Sequence, residues 1–287
     1  SRESLIQQAA LQWRKLSFPV ERGIMDAQSA RIGFIGFGNM ASAMAKGLIE
    51  CGGVEGSRIC ACAAHFESLE KRCEPLGVRA FKSPAEVVEN SDLVVISVKP
   101  HLVSEVLSPV REALREKAVI SVAAGLLFDF YEDLLGEGSR HLSTIPNTPI
   151  AIGKGVISCE EHHSLAADEW EAFAELFSPI ALIELLPGRL LSVASALAGC
   201  GPAFAAMFLE ALADGGVKNG LPRQTAYRLA AQMMTGTAEL HLASGTHPGA
   251  MKDAVCSPGG TTIKGVAALE DAGMRGAVMR AVDATLS

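Results

Sequence analysis

The run Gly36-Phe37-Gly38-Asn39-Met40-Ala41 spaces its small residues as G-x-G-x-x-A, and each has a physical task. Gly36 permits a tight turn, Gly38 lets the main chain come close to a pyrophosphate, and Ala41 lets a helix pack tightly on the preceding strand. A helix opening here turns its first N–H groups and the positive end of its dipole toward the phosphates. No Ser-His-Asp set, paired carboxylates or Cys/His metal spacing accompanies this run. The chemistry it points to is dinucleotide binding, with no metal.

The end of the following strand bears on which dinucleotide. A site for NAD usually places Asp or Glu there, accepting from the ribose 2′-OH. The chain reads Cys62-Ala63-Ala64-His65, and the nearest acid is Glu67. Nothing at that position repels a 2′-phosphate, so NADP(H) is favoured and NAD(H) remains possible. The Ala63 main chain and His65 are candidate contacts, although His65 reads equally well as a solvated loop histidine.

These residues need a scaffold, and the pattern supplies one. Arg31–Ile35 and Arg58–Ala63 read as strands, with Asn39–Glu50 the helix between them and Val78–Phe81 a short third strand. Pro84–Asn90 reads as a helix with proline in its first turn, where the missing N–H costs little. Leu93–Val98 and Ala118–Ala123 are continuous apolar runs, as expected of central parallel strands buried on both faces. Strands alternating with helices indicate an α/β, Rossmann-like, doubly wound parallel sheet. From about Pro187 the strand signals stop. Leu190–Gly216, Arg223–Ser244 and Gly265–Leu286 read as helices punctuated by Gly220-Leu221-Pro222 and Pro258-Gly259-Gly260. The expected organisation is an extension of unknown role over 1–30, without a signal-type apolar core, a dinucleotide domain over 31–187 and an all-helical domain over 188–287.

Composition narrows the partners. The chain has 287 residues and a formal net charge of −7, which argues against nucleic acid or anionic membrane. Its seven scattered cysteines read as reduced thiols of a cytoplasmic protein. Cys60 and Cys62 fall on one face of a strand, and Cys200 reads as a small thiol in a close-packed helix rather than a nucleophile. Leu190–Leu209 carries no charge and is long enough to span a bilayer. It is built largely of Ala, Ser and Gly around Pro202, so it reads instead as a buried helix at a subunit interface.

Further runs then appear in order: Val98-Lys99-Pro100, Ala123-Ala124-Gly125, Pro146-Asn147-Thr148-Pro149, Gly201-Pro202-Ala203, Ala211–Lys218, His247-Pro248-Gly249, and Val255-Cys256-Ser257-Pro258-Gly259-Gly260-Thr261-Thr262-Ile263. From Arg31 to the C-terminus this set resembles the pyrroline-5-carboxylate reductases. The resemblance implies reduction of a cyclic imine to L-proline, the last step of proline biosynthesis. It implies cofactor contacts from Ile35, Gly36, Phe37, Gly38, Asn39 and Met40, from Ala63 and His65, from Val98, Lys99 and Pro100, and from Ala124. It also implies a substrate pocket at Ser257, Gly259, Gly260, Thr261 and Thr262, and a homodimer or higher homo-oligomer through the helical domain. Pro258–Thr262 opening a helix would offer main-chain N–H donors to the substrate carboxylate. Thr262 is the candidate catalytic hydroxyl, hydrogen-bonded to the imine nitrogen or to the nascent amine. Cys200 stands where the family usually has Ser, Thr246 where it has Glu, and an Asn common near Pro84 is missing. A β-hydroxyacid dehydrogenase would instead carry a catalytic Lys on the first long helix of the second domain, and Leu190–Leu209 contains none.

Overall fold

The computed structural model describes residues 23–286; most of the expected N-terminal extension, residues 1–22, lies outside the described residues. Two compact units are present, the first ending at Ser195 and the second beginning at Ala196.

The first unit is built on strands β1 (Ile32–Ile35), β2 (Ile59–Cys62), β3 (Arg79–Phe81), β4 (Leu93–Ile96), β5 (Ala118–Ser121), β6 (Arg140–Pro146), β7 (Gly155–Glu160) and β8 (Ala181–Leu186). They form one sheet in the order β3-β2-β1-β4-β5-β6-β7-β8. From β3 to β6 every pairing is parallel. β6 and β7 then pair antiparallel, while β7 and β8 are parallel to each other. The connecting helices are α1 (Asn39–Glu50), α2 (Phe66–Cys73), α3 (Pro84–Glu89), α4 (Val103–Leu107), α5 (Arg111–Leu114), α6 (Phe128–Leu135) and α7 (Ala167–Phe177).

Strand periodicity divides the core between the two faces. Ile32 and Phe34 of β1 pack with Met44 and Leu48 of α1 on one face, whereas Ile35 packs with Val87 and Val88 of α3 on the other. β1, β2, β4 and β5 are buried along their whole length, as their unbroken apolar runs require. Cys60 and Cys62 share one face, and burial pushes both thiols up to about 11. Both stay protonated at neutral pH and are poor nucleophiles.

Beyond β5 the core is more polar. His141 of β6 meets Glu132 of α6 at 3.0 Å, and His163 stacks on Trp170 of α7 with ring centroids 5.1 Å apart. Burial, and then the nearby His162 and His141, depress the His163 imidazole to about 4. In the unfolded chain a histidine titrates near 6.5. Below that pH the unfolded state gains a proton that the folded state refuses, so stability falls as pH drops from about 6.5 toward 4. The expected loss is about 2 kcal/mol between pH 7 and 5. Urea melts of wild type and His163→Gln at both pH values check this; an equal pH slope in the two proteins contradicts it.

The second unit is helical. α8 (Leu191–Ala194) closes the first unit, and after a π-type turn at Ser195–Gly199 the second opens with α9 (Gly201–Lys218). It continues with α10 (Arg223–Ser244), α11 (Pro248–Ala254), α12 (Thr261–Asp271) and α13 (Met274–Ala284). One expectation is corrected here: Gly265–Leu286 is not one helix, because Gly273 at φ +72° divides it. Leu190–Leu209, expected at a subunit interface, is left open by its own chain, with Leu197 68% and Met207 69% exposed.

Candidate cofactor and substrate sites

In a sheet of this order, β1 lies between β2 and β4, so the chain reverses its direction of travel at β1 and β4. The crevice beyond the carboxyl ends of those strands is where such sheets take ligands. The ladder continues past the strand ends: Gly36 N–H donates to Cys62 O at 3.0 Å, Ser97 N–H to Ile35 O at 2.8 Å, and Val122 N–H to Ile96 O at 3.0 Å. These bonds hold the turns after β2, β1, β4 and β5 in one register. The candidates from Ile35 to Met40, Ala63 and His65, Val98 to Pro100, and Ala124 therefore all lie along one edge of the sheet.

The glycine turn shows why each small residue is needed. Gly36 has φ +91°, and a Cβ there would fall 2.6 Å from the Ser97 carbonyl oxygen and 2.9 Å from a Val98 methyl. Gly38, by contrast, has ordinary backbone angles (φ −81°, ψ −160°) and is the N-cap of α1 without any side-chain capping bond. A Cβ on Gly38 would meet no atom within 4 Å. That open space lies directly before first-turn N–H groups that no side chain claims, which fits a pyrophosphate brought close to the main chain. Ala41 is fully buried against the strand core. The residues present therefore fit a dinucleotide.

The other members of this set are more exposed. Ala63 is half-buried, and His65 is exposed as the N-cap of α2. Lys99 and Ala124 are exposed. Arg72, on α2, was missed in the sequence. Its guanidinium reaches the Phe37 carbonyl at 3.5 Å and Asn39 Oδ1 at 3.4 Å, bracing the turn from the side. No local motif marks it, since it stands 33 positions from Asn39.

The second candidate site belongs to the helical unit. Gly260 N–H donates to Ser257 O at 3.0 Å, closing a turn over Pro258 and Gly259. Gly259 has φ +67°, the left-handed angle that this turn type demands after proline. Gly260 is the N-cap of α12, again without a side-chain capping bond. Thr261 and Thr262 occupy the exposed first turn. Among the described residues the Thr262 hydroxyl makes no hydrogen bond, so it is available to a ligand. The two sites thus share one design, a glycine-entered helix with an unclaimed N-terminus.

A nucleotide turn at the switch point of a mostly parallel sheet, followed by a helical unit, defines an oxidoreductase that uses a nicotinamide cofactor. Two family models match the chain: "NADP oxidoreductase coenzyme F420-dependent" over residues 31–125, and "Pyrroline-5-carboxylate reductase dimerisation" over residues 189–287. The pyrroline-5-carboxylate reductase of Treponema pallidum (strain Nichols) is 45% identical, covering 89% of this chain and 98% of its own. That of Methanosarcina acetivorans is 39% identical, covering 89% and 95%. Among solved structures, the pyrroline-5-carboxylate reductase from Coxiella burnetii matches with TM-score 0.80 at 30% identity, covering 90% of this chain and 96% of its own. The Plasmodium falciparum pyrroline carboxylate reductase with NADP bound matches with TM-score 0.79 at 28% identity, covering 90% and 96%. The chain belongs to the pyrroline-5-carboxylate reductase family.

Proposed function

We propose that this protein reduces 1-pyrroline-5-carboxylate to L-proline, the last step of proline biosynthesis, with NADPH as the favoured reductant. The observation that carries the reading is the Ser257–Gly260 turn, which opens α12 with unclaimed main-chain donors and an exposed threonine beside them. Those donors suit a carboxylate, and the Thr262 hydroxyl lies one residue further along the same turn of helix.

A bound nicotinamide supplies the hydride for the carbon of the C=N bond. The chain's own task is to place and orient the imine. Main-chain N–H groups of the α12 entry bind the carboxylate, and Thr262 hydrogen-bonds the ring nitrogen. A threonine hydroxyl is not acidic near neutral pH, so the proton on nitrogen comes from water or from an iminium that arrives already protonated. Lys99 orients the nicotinamide side of the cofactor site, from a strand end where it stands exposed.

NADPH oxidation with five- and six-membered cyclic imines tests the reading, run in parallel with NADH. The five-membered imine carboxylate with NADPH should give the highest kcat/KM. A clear preference for NADH sinks the cofactor assignment, and absence of turnover with the imine sinks the reaction.

We further propose a homodimer or higher homo-oligomer formed through the helical unit, in the cytosol. Gly188–Lys218 is long and apolar enough to cross a membrane, yet little of it is buried by its own chain. Leu240, Leu242 and Met279 are also more than half exposed. A groove of about 710 Å3 lined by Phe208, Met233, Thr237, Met251 and Val255 adds to this apolar surface. Surface of this extent is covered in a stable soluble protein, and a second copy in two-fold symmetry covers both partners alike. The seven free cysteines suit a reducing compartment. Light scattering should give a mass of at least two chains; a stable monomer at micromolar concentration contradicts the assembly.

A further inference from the structure

We propose that Lys82 holds the 2′-phosphate of NADP(H) and so sets the cofactor preference; the inference rests on the NADPH reading above. In a dinucleotide domain the end of the second strand addresses the 2′ position of the adenosine ribose, and its side chain chooses between hydroxyl and phosphate. Here that end offers only Ala63, which neither repels nor attracts a phosphate, so any attraction has to come from a neighbouring element.

β3 is that neighbour. The parallel register pairs Cys62 with Phe81, so Ala63 and Lys82 are the residues that leave the carboxyl ends of two adjacent strands. The Lys82 ammonium stands 5.4 Å from the centroid of the Phe66 ring, and Phe66 is the first residue of α2. The charge therefore stands beside the first residue of α2, where the turn after β2 ends. Lys82 is exposed, and among the described residues no carboxylate pairs with its ammonium. Glu86, the acid four residues on, is engaged elsewhere: its Oε2 accepts from the Lys82 main-chain N–H at 3.1 Å and from the Ser83 hydroxyl at 2.9 Å. Glu67 in the first turn of α2 is exposed, which makes an opposing cation more necessary for a doubly charged phosphate.

The other basic groups near this turn fit the role less well. Arg72 is directed to Phe37 O and Asn39 Oδ1, on the pyrophosphate side, where it serves both cofactors alike. The His65 side chain, at the N-cap of α2, makes no capping bond that would fix its ring toward this turn. A lysine, with its flexible stem and compact charge, can follow a phosphate that a fixed guanidinium fork would have to meet squarely.

Calorimetric titration of NADPH and NADH without imine tests the assignment, using wild type, Lys82→Ala, Lys82→Glu and Arg72→Ala, each checked by its thermal melt. Lys82→Ala should weaken NADPH roughly tenfold, the scale of one charge-assisted contact, and leave NADH unchanged. Lys82→Glu should reverse the preference, and Arg72→Ala should weaken both cofactors by a similar factor. If wild type prefers NADPH and Lys82→Glu keeps that ratio, the Lys82 assignment is overturned while the cofactor reading stands. If wild type itself prefers NADH, both fall together.

Discussion

Gly36→Ala should lose both cofactor and stability, whereas Gly38→Ala should lose cofactor alone. An alanine at Gly36 must adopt φ +91° and place its methyl 2.6 Å from the Ser97 carbonyl oxygen. The carbonyl is main chain, on a residue whose own N–H is tied to Ile35 O at 2.8 Å, so it cannot swing aside as a side chain would. The turn itself must move, and the α1 N-terminus moves with it. A left-handed non-glycine residue alone costs about 1–2 kcal/mol, and the contact adds to this. The expected result is a melt lowered by roughly 5–10 °C and an NADPH Kd raised by about 100-fold or more. At Gly38 the same methyl meets no protein atom within 4 Å, and the backbone angles suit any residue. Its cost falls only on the bound pyrophosphate, whose approach it blocks. Calorimetric titration and thermal melts of the two variants separate these outcomes. An unchanged Kd for Gly38→Ala would show that the pyrophosphate does not come where the fold and the open space put it.

Thr262→Ala is the variant with the largest expected effect on turnover. The carboxylate is assigned to main-chain N–H groups, which this substitution leaves in place, so KM should change little. A hydrogen bond that strengthens as the nitrogen gains electron density acts on the transition state, and its loss lowers kcat. The expected fall is roughly tenfold or more, with NADPH affinity unaffected. Gly260→Val should show the opposite pattern, because its side chain would run into Ser257 Oγ and disturb the donors, raising KM for the imine. Steady-state kinetics with the five-membered imine decide between the two patterns. Full kcat in Thr262→Ala removes Thr262 from the reaction without touching the family assignment.

Sequence reading went furthest where one physical demand acts alone. β1, β4 and β5 are buried on both faces, so their apolar runs are unbroken and stand out. β6 escaped notice because it buries polar groups. His141 reaches Glu132, and the Thr144 hydroxyl donates to Ser121 O at 2.8 Å. Such pairs are satisfied only in three dimensions and spoil the one-dimensional pattern. β8 is half exposed with Glu184 in its middle, which resembles a loop as much as a strand. The glycine turn was legible because its spacing is contained within six residues, even though the atoms that Gly36 has to clear belong to Ser97 and Val98. Arg72 and Lys82 were not, since each acquires its place only through packing and register: Arg72 by reaching across from α2, Lys82 by the pairing of β2 with β3.

The twin helix entries at Gly38 and Gly260 carry a consequence for how this enzyme senses acidity. Peptide N–H groups neither gain nor lose a proton across the range in which proteins work, unlike the lysines and histidines that many enzymes set against anions. Main-chain donors, proposed above to hold the pyrophosphate and the carboxylate, offer the same hydrogen-bonding groups at pH 6 as at pH 9. Thr262 is equally silent over that span. On the assignments proposed above, and with NADPH saturating, a kcat profile that bends between pH 7 and 9 reports the imine nitrogen rather than these two anchors, so that the substrate acts as the titrating group of its own reduction.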